Sequence, residues 1–222
     1  MHEFLWLFLF VNGVSTWELI PLTGAQQTQI LNRHNVFRSN LARGLYKAKS
    51  GFTFAKATNM RKLVWNYTLV LEAATYAETC PPNAISSAGI NVYIQPVAPG
   101  DPPNTIDLMV NKTVNTWANQ FFTNGPKGYV TTAATAHATQ MAWSTTQSIG
   151  CAYVLCGNFS GRRIVVCHYY PPGNVVGQRI YNQGATCSKC PTESPCLQAS
   201  GLCVTPTSVV FPAAVQSSII SV

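Results

Sequence analysis

Ala136-His137-Ala138-Thr139-Gln140-Met141-Ala142-Trp143, then Gly150-Cys151-Ala152, then Cys167-His168-Tyr169-Tyr170-Pro171-Pro172-Gly173-Asn174-Val175: between Ala136 and Gly177 the chain passes from helical to strand patterning. The first run reads as a short helix from about Ala134 to Trp143. Ile149 to Leu155 and Arg163 to Tyr169 are apolar and β-branched, and the glycine-bounded segment from Gly157 to Gly161 between them reads as the turn of a hairpin. The same stretch carries a lone histidine, His137, and no Asp or Glu occurs from Leu108 to Thr192.

Upstream of this stretch the pattern is helical. Ile30, Leu31, Phe37 and Leu41 recur at helical spacing, with His34 and Arg38 four apart, and predict a first helix over Gln27 to Arg43. Leu63-Val64-Trp65-Asn66 leads into a second helix that ends near Cys80, where Pro81 and Pro82 stop it. Gly89 to Ile94 predicts a short strand. A third helix from about Thr105 to Phe121 places Ile106, Val110, Val114, Trp117 and Phe121 on one stripe. Helices and strands in this order predict an α/β fold, an α-β-α three-layer sandwich around a small sheet.

The ends of the chain read differently. Phe4 to Val11 is an apolar run followed by small and polar residues, about half the ~20 residues a membrane helix needs, so residues 1–16 read as a secretory signal peptide. Residues 17–184 form the main domain. Residues 185–203 form a cysteine-dense module, and residues 204–222 form a Ser/Thr-rich apolar tail, expected to be disordered.

All 8 cysteines, at 80, 151, 156, 167, 187, 190, 196 and 203, lie beyond the leader, which points to disulfides, an oxidising compartment and a secreted, extracellular protein. Asn66, Asn111 and Asn158 each begin an Asn-x-Ser/Thr sequon. Lys and Arg concentrate between Arg33 and Lys62, and no Asp or Glu occurs from Leu19 to Leu71, so a basic face is expected, one that either serves as a solvated surface keeping the protein soluble or attracts anionic glycan or lipid. Nucleic acid is set aside, since no aromatic residues interleave regularly with these charges. An integral membrane protein is likewise not expected.

The residues quoted above resemble the CAP superfamily (cysteine-rich secretory proteins, antigen 5, pathogenesis-related 1). The resemblance runs from the Asn35 to Arg38 element through Leu63-Val64-Trp65, the Trp117 helix and His137 to Trp143, and on to Cys167 to Val175. Asn174-Val175-Val176-Gly177, followed by Ile180-Tyr181 and a cysteine-rich stretch, is most similar to nematode activation-associated secreted or venom-allergen-like proteins. The resemblance implies the CAP fold with a C-terminal disulfide-rich hinge, and the pairs Cys80 with Cys156, Cys151 with Cys167, Cys187 with Cys196 and Cys190 with Cys203. Read without it, Cys187-Ser188-Lys189-Cys190 also suits the start of a zinc ribbon.

CAP proteins commonly bring two histidines and two glutamates to a central cleft that holds a divalent metal in some members. Of that set the resemblance leaves His137 alone, a remnant whose partners are replaced by Ile90 and Gln120. Structural zinc needs four protein ligands and catalytic zinc three, so neither a metal nor any other cofactor is expected. No catalytic residue is assigned, because no Gly-x-Ser-x-Gly turn presents Ser144 or Ser148, and Glu72, Glu78, Asp101 and Asp107 stand in no recognisable motif.

The resulting expectation is a secreted, non-catalytic binding or effector protein acting on a host or other extracellular partner, with a cleft lined by His137, Ile90, Gln120 and Met141. Sterol or fatty-acid binding is implied by the resemblance alone. The alternatives are a metal-dependent or serine-type hydrolase, and a glycan-binding protein using residues 33–62.

Overall fold

The structure is a computed structural model that describes residues 17–97, 106–157 and 161–205. The leader, the segment beyond Thr205, Asp101 and the Asn158 sequon lie outside the described residues.

The predicted hairpin is the centre of the fold. β5 (Ser148–Cys156) and β6 (Arg162–Tyr170) pair antiparallel from Ser148↔Tyr170 to Cys156↔Arg162. β4 (Ile90–Pro96) adds to the far side of β6, and β3 (Ser86–Ser87) folds back on β4. Two further strands, like β3 not singled out by the sequence patterning, complete a six-stranded mixed sheet. β1 (Trp17–Ile20) pairs antiparallel with β5, and β2 (Val64–Trp65) pairs parallel with its start. Both are too short to show alternation in sequence.

Helices cover both faces. α1 (Gly24–Ala42) starts at Thr23, whose hydroxyl accepts from the Gln26 backbone while the Gln26 side chain accepts from Thr23. α2 (Tyr67–Glu78) starts at Asn66, whose Oδ1 accepts from the amides of Thr68 and Leu69. α3 (Ile106–Asn124) and α4 (Ala136–Ala142) follow.

On one side of the sheet, Ala73, Ala74 and Ala77 of α2 pack against Val92, Ala152, Val154, Ile164 and Val166. Small residues bring this helix close. A Cβ on Gly150 would run into the α2 backbone at Val70 and Leu69, so β5 has to carry glycine there. On the other side, α1, α3 and α4 enclose a larger core of Phe37, Leu41, Trp117, Phe121, Met141, Ile149 and Tyr153.

The disulfides are Cys80–Cys156, Cys151–Cys167, Cys187–Cys196 and Cys190–Cys203. The first ties the end of α2 to the end of β5, and the second joins directly opposed residues of β5 and β6. The last two brace a small hairpin, β7 (Cys196–Leu197) and β8 (Leu202–Cys203). This module packs on the main body. Cys203 exchanges backbone hydrogen bonds with Met60 and Lys62, Ser39 donates to the Ser200 carbonyl, and Thr186 donates to the Ala42 carbonyl.

The basic stretch is split by the fold. Arg38, counted above toward the basic face, has no exposed surface. Its Nε donates to the Arg61 carbonyl, Nη1 to Met141 and Trp143, and Nη2 to Ser144 and Thr146, so every N–H of the guanidinium is used. Periodicity marks which face of a helix is buried, but it does not foresee that a loop of inward-turned carbonyls will draw an arginine inside.

Candidate functional site

His137 is the second residue of α4, and its environment leaves it no free nitrogen. Gln120, on α3, accepts through Oε1 from the backbone amides of His137 at 2.9 Å and Ala138 at 3.2 Å. Backbone N–H groups only donate, so the orientation of the Gln120 amide is fixed. Its Nε2 therefore faces His137 Nδ1 at 3.0 Å and must donate to it. Nδ1 is then the acceptor, and the ring proton sits on Nε2, which donates to the Val92 carbonyl at 3.2 Å.

Trp117 stacks on the ring with centroids 5.8 Å apart and planes 13° apart. Burial holds the imidazole below its ordinary pKa, opposed more weakly by the backbone carbonyls of Val92 and Ile85. The group is a neutral, doubly hydrogen-bonded ring.

The other expected cleft residues are not beside it. Met141 has no exposed surface and belongs to the large core, so it lines no cleft. Ile90 pairs with His168 across β4 and β6 and packs with the α2-side cluster, on the opposite face of the sheet from His137. The β4 side chain that turns toward α4 is its neighbour, Asn91, one residue on and therefore on the other face. Asn91 Nδ2 donates to the His137 carbonyl at 3.1 Å and to the Tyr169 hydroxyl at 3.2 Å.

This asparagine belongs to a buried polar chain absent from the expected site. Tyr169 accepts from Asn91 and donates to His34 Nε2 at 2.9 Å, and His34 Nδ1–H donates to the Ile30 carbonyl at 2.8 Å. Burial lowers the His34 pKa to about 4. A second group of this kind holds the Gly173-Asn174 turn. Asn174 accepts from Thr139 at 2.6 Å and Thr131 at 2.9 Å, and donates to Ser86 and to the Ala136 carbonyl. At Gly173 a Cβ would collide with the Trp143 and Gln140 side chains. These networks join residues from distant segments, and only the fold shows which ones meet.

Three of the hydrolase candidates, Glu72, Asp107 and Ser144, are engaged elsewhere. The position where a triad carboxylate would orient His137 is filled by the Gln120 amide. Glu72 pairs with His168 Nδ1 at 3.3 Å, Asp107 accepts from Gln26, and the Ser144 hydroxyl accepts from Asn59. Burial lowers the His168 pKa, opposed by Glu72. No group of three His, Cys, Asp or Glu side chains able to hold a metal ion exists among the described residues. No helix among them is long and apolar enough to cross a membrane.

A groove of about 870 Å³ runs between α1 and α3. Phe37, Val114, Ala118 and Tyr46 contribute apolar walls. Three polar bridges cross it at successive turns of two parallel helices: Gln26 to Asp107 at 2.9 Å, Gln29 to Asn111 at 3.0 Å and Arg33 to Asn115 at 3.1 Å. The Asn111 sequon thus stands at the groove, and the Asn66 sequon at the start of α2.

Comparison with known proteins shows the family and the fold. The family described as CAP, the cysteine-rich secretory protein family, matches residues 31–169. The chain is 32% identical over 199 residues to the Ancylostoma secreted protein of Ancylostoma caninum, covering 83% of this chain but 45% of that protein. Among solved structures, Na-ASP-1 is 31% identical with a TM-score of 0.71, over 82% of this chain and 47% of that one. NaASP2, solved with Zn²⁺, is 25% identical with a TM-score of 0.66, over 82% of this chain and 96% of that one. The chain therefore spans less than half the length of the first two and nearly all of the third.

Proposed function

The chain belongs to the cysteine-rich secretory protein (CAP) family, and from that premise we propose a secreted binding or effector protein without catalysis. Its partner is a host or other extracellular protein, in the manner of a parasitic nematode's host-interaction or immunomodulatory protein, with a sterol or fatty acid as a further ligand. The observation that carries this reading is the closed state of His137. Both ring nitrogens are committed, to Gln120 and to the Val92 carbonyl, and no carboxylate among the described residues stands at either. A general base needs a free lone pair within reach of a substrate proton, and a metal needs several converging donors.

The zinc seen with NaASP2 therefore does not carry over. One engaged imidazole and one amide do not make a zinc site, and no reaction step through a metal is derived for this chain. The disulfides and the secreted relatives support an extracellular protein.

A small apolar ligand fits the α1–α3 groove better than the region around His137, which is filled. The groove volume lies in the range of small-molecule sites, about 300–1,000 Å³, and its apolar walls lie beneath a polar rim. The test is to extract protein purified from a eukaryotic host and identify any lipid recovered. Transfer of labelled palmitate or sterol is then measured, with Ala118→Trp as the variant that fills the groove. Ligand lost in Ala118→Trp supports the reading, whereas no transfer by the unaltered protein removes the lipid part of it.

A further inference from the structure

We propose that the face built from the segment after α1, the end of α3 and the turn at Lys127 is a docking surface for anionic lipid bilayers. Phe52 and Phe122 would enter the headgroup region, and Lys47, Lys49, Lys56 and Lys127 would lie over the lipid charge.

The segment from Leu45 to Ala57 folds as a tight loop on the body. Lys47 bridges to Thr53, and the Ala48 amide donates to the Phe52 carbonyl at 2.9 Å. Phe54 is buried, with its ring 5.0 Å from Phe121 and 6.1 Å from Tyr129. Phe52 packs on the outer side of Phe54 at 5.9 Å and remains 47% exposed. Phe122, one residue beyond the buried Phe121, is 43% exposed, and its carbonyl accepts from the Lys49 amide at 2.7 Å. The Ala55 amide donates to the Tyr129 hydroxyl at 2.7 Å, which ties the segment carrying Lys56 to the turn carrying Lys127. Two aromatic rings are thus held outward on a braced surface.

Charge decides the partner. Lys47, Lys49, Lys56 and Lys127 are exposed, and neither contributing segment contains an Asp or Glu, which are absent from Leu19 to Leu71 and from Leu108 to Thr192. A sulfated glycan would engage the lysines but gives the phenylalanines nothing to enter. An anionic bilayer uses both, through surface potential for the cations and through the interface for the rings.

The test is cosedimentation of the full secreted chain with vesicles of phosphatidylcholine alone and of phosphatidylcholine with roughly one-third phosphatidylserine. Binding is expected only with phosphatidylserine and should fade when salt is raised well above physiological strength. Each lysine removed, as in Lys49→Ala or Lys127→Ala, should weaken partitioning about fivefold. Phe122→Ser and, separately, Phe52→Ser should each weaken it about tenfold. Phe52→Trp keeps an aromatic ring in place, and its added emission should shift blue on vesicles. Absence of phosphatidylserine-dependent binding overturns the proposal. So does binding that needs the lysines but is indifferent to both phenylalanines and to Phe52→Trp burial, the signature of a glycan site. Binding that survives all of these substitutions also overturns it, since the contact then lies elsewhere in the chain.

Discussion

Gln120 grips His137 at two points, accepting from its backbone amide at 2.9 Å and donating to its Nδ1 at 3.0 Å. One side chain therefore anchors the start of α4 and fixes the tautomer of His137. Replacing the amide nitrogen with a carboxylate oxygen reverses the second bond. In Gln120→Glu the carboxylate accepts, Nδ1 takes up a proton, and the His137 pKa should move from below the ordinary histidine value to above it. An imidazole titration by NMR checks this, with the unaltered protein expected to show the Nε2–H tautomer throughout the neutral range.

Acid should destabilise the fold through His34. Its folded pKa of about 4 lies below the unfolded value of 6.5, because burial excludes the charged form. As pH falls below 6.5 the unfolded chain takes up a proton that the native protein refuses. Stability is therefore intact above 6.5 and declines down to about 4, by about 3 kcal/mol across the window. His137 and His168, both lowered, add in the same direction. Melting temperature against pH in the unaltered protein and in His34→Gln checks this, and the variant should show the shallower slope.

Arg38, an arginine with no exposed surface, should be costly to lose. It carries a buried charge whose partners are backbone carbonyls, linking α1 to Arg61 ahead of β2 and to the segment from Met141 at the end of α4 to Thr146. Arg38→Ala leaves those carbonyls without their donor and should cost about 3–5 kcal/mol. Arg38→Lys keeps the charge but cannot fork to five acceptors, and should recover less than half of that loss. Urea midpoints measure both.

The two described sequons can be removed without disturbing the structure around them. Asn66 caps α2 through its Oδ1, so Asn66→Gln would confuse glycan loss with cap loss, whereas Thr68→Ala on the exposed surface removes only the sequon. Thr113 is buried with an unpartnered hydroxyl, so Thr113→Val should leave stability unchanged or slightly raised while abolishing any glycan at Asn111. Intact mass of protein from eukaryotic cells, alongside thermal melting, reads both effects.

Helices α1 and α3 were legible through the helical spacing of their apolar residues, α2 through its entry at Leu63 to Asn66 and the prolines that stop it, and the hairpin of β5 and β6 through its β-branched apolar runs and the glycines between them. The structural disulfides match the pairs that the family resemblance implied, which spacing alone did not specify. Strands β1 and β2 were not legible, being defined by pairing with β5. Nor was the face on which Ile90 sits. Strand side chains alternate, so a one-residue choice of phase separates Ile90, facing α2, from Asn91, facing His137. The buried Arg38 and the chain from Asn91 through Tyr169 to His34 depend on groups brought together from distant segments, which leave no local signature.

The measurement that bears most directly on the closed state of His137 is a zinc titration of the full-length protein near neutral pH. Calorimetry and the His137 ring resonances are followed together. No stoichiometric heat and no movement of those resonances are expected, because Nδ1 and Nε2 are both occupied. Tight one-to-one binding with the His137 resonances shifted, and lost in His137→Ala, would contradict that closed state.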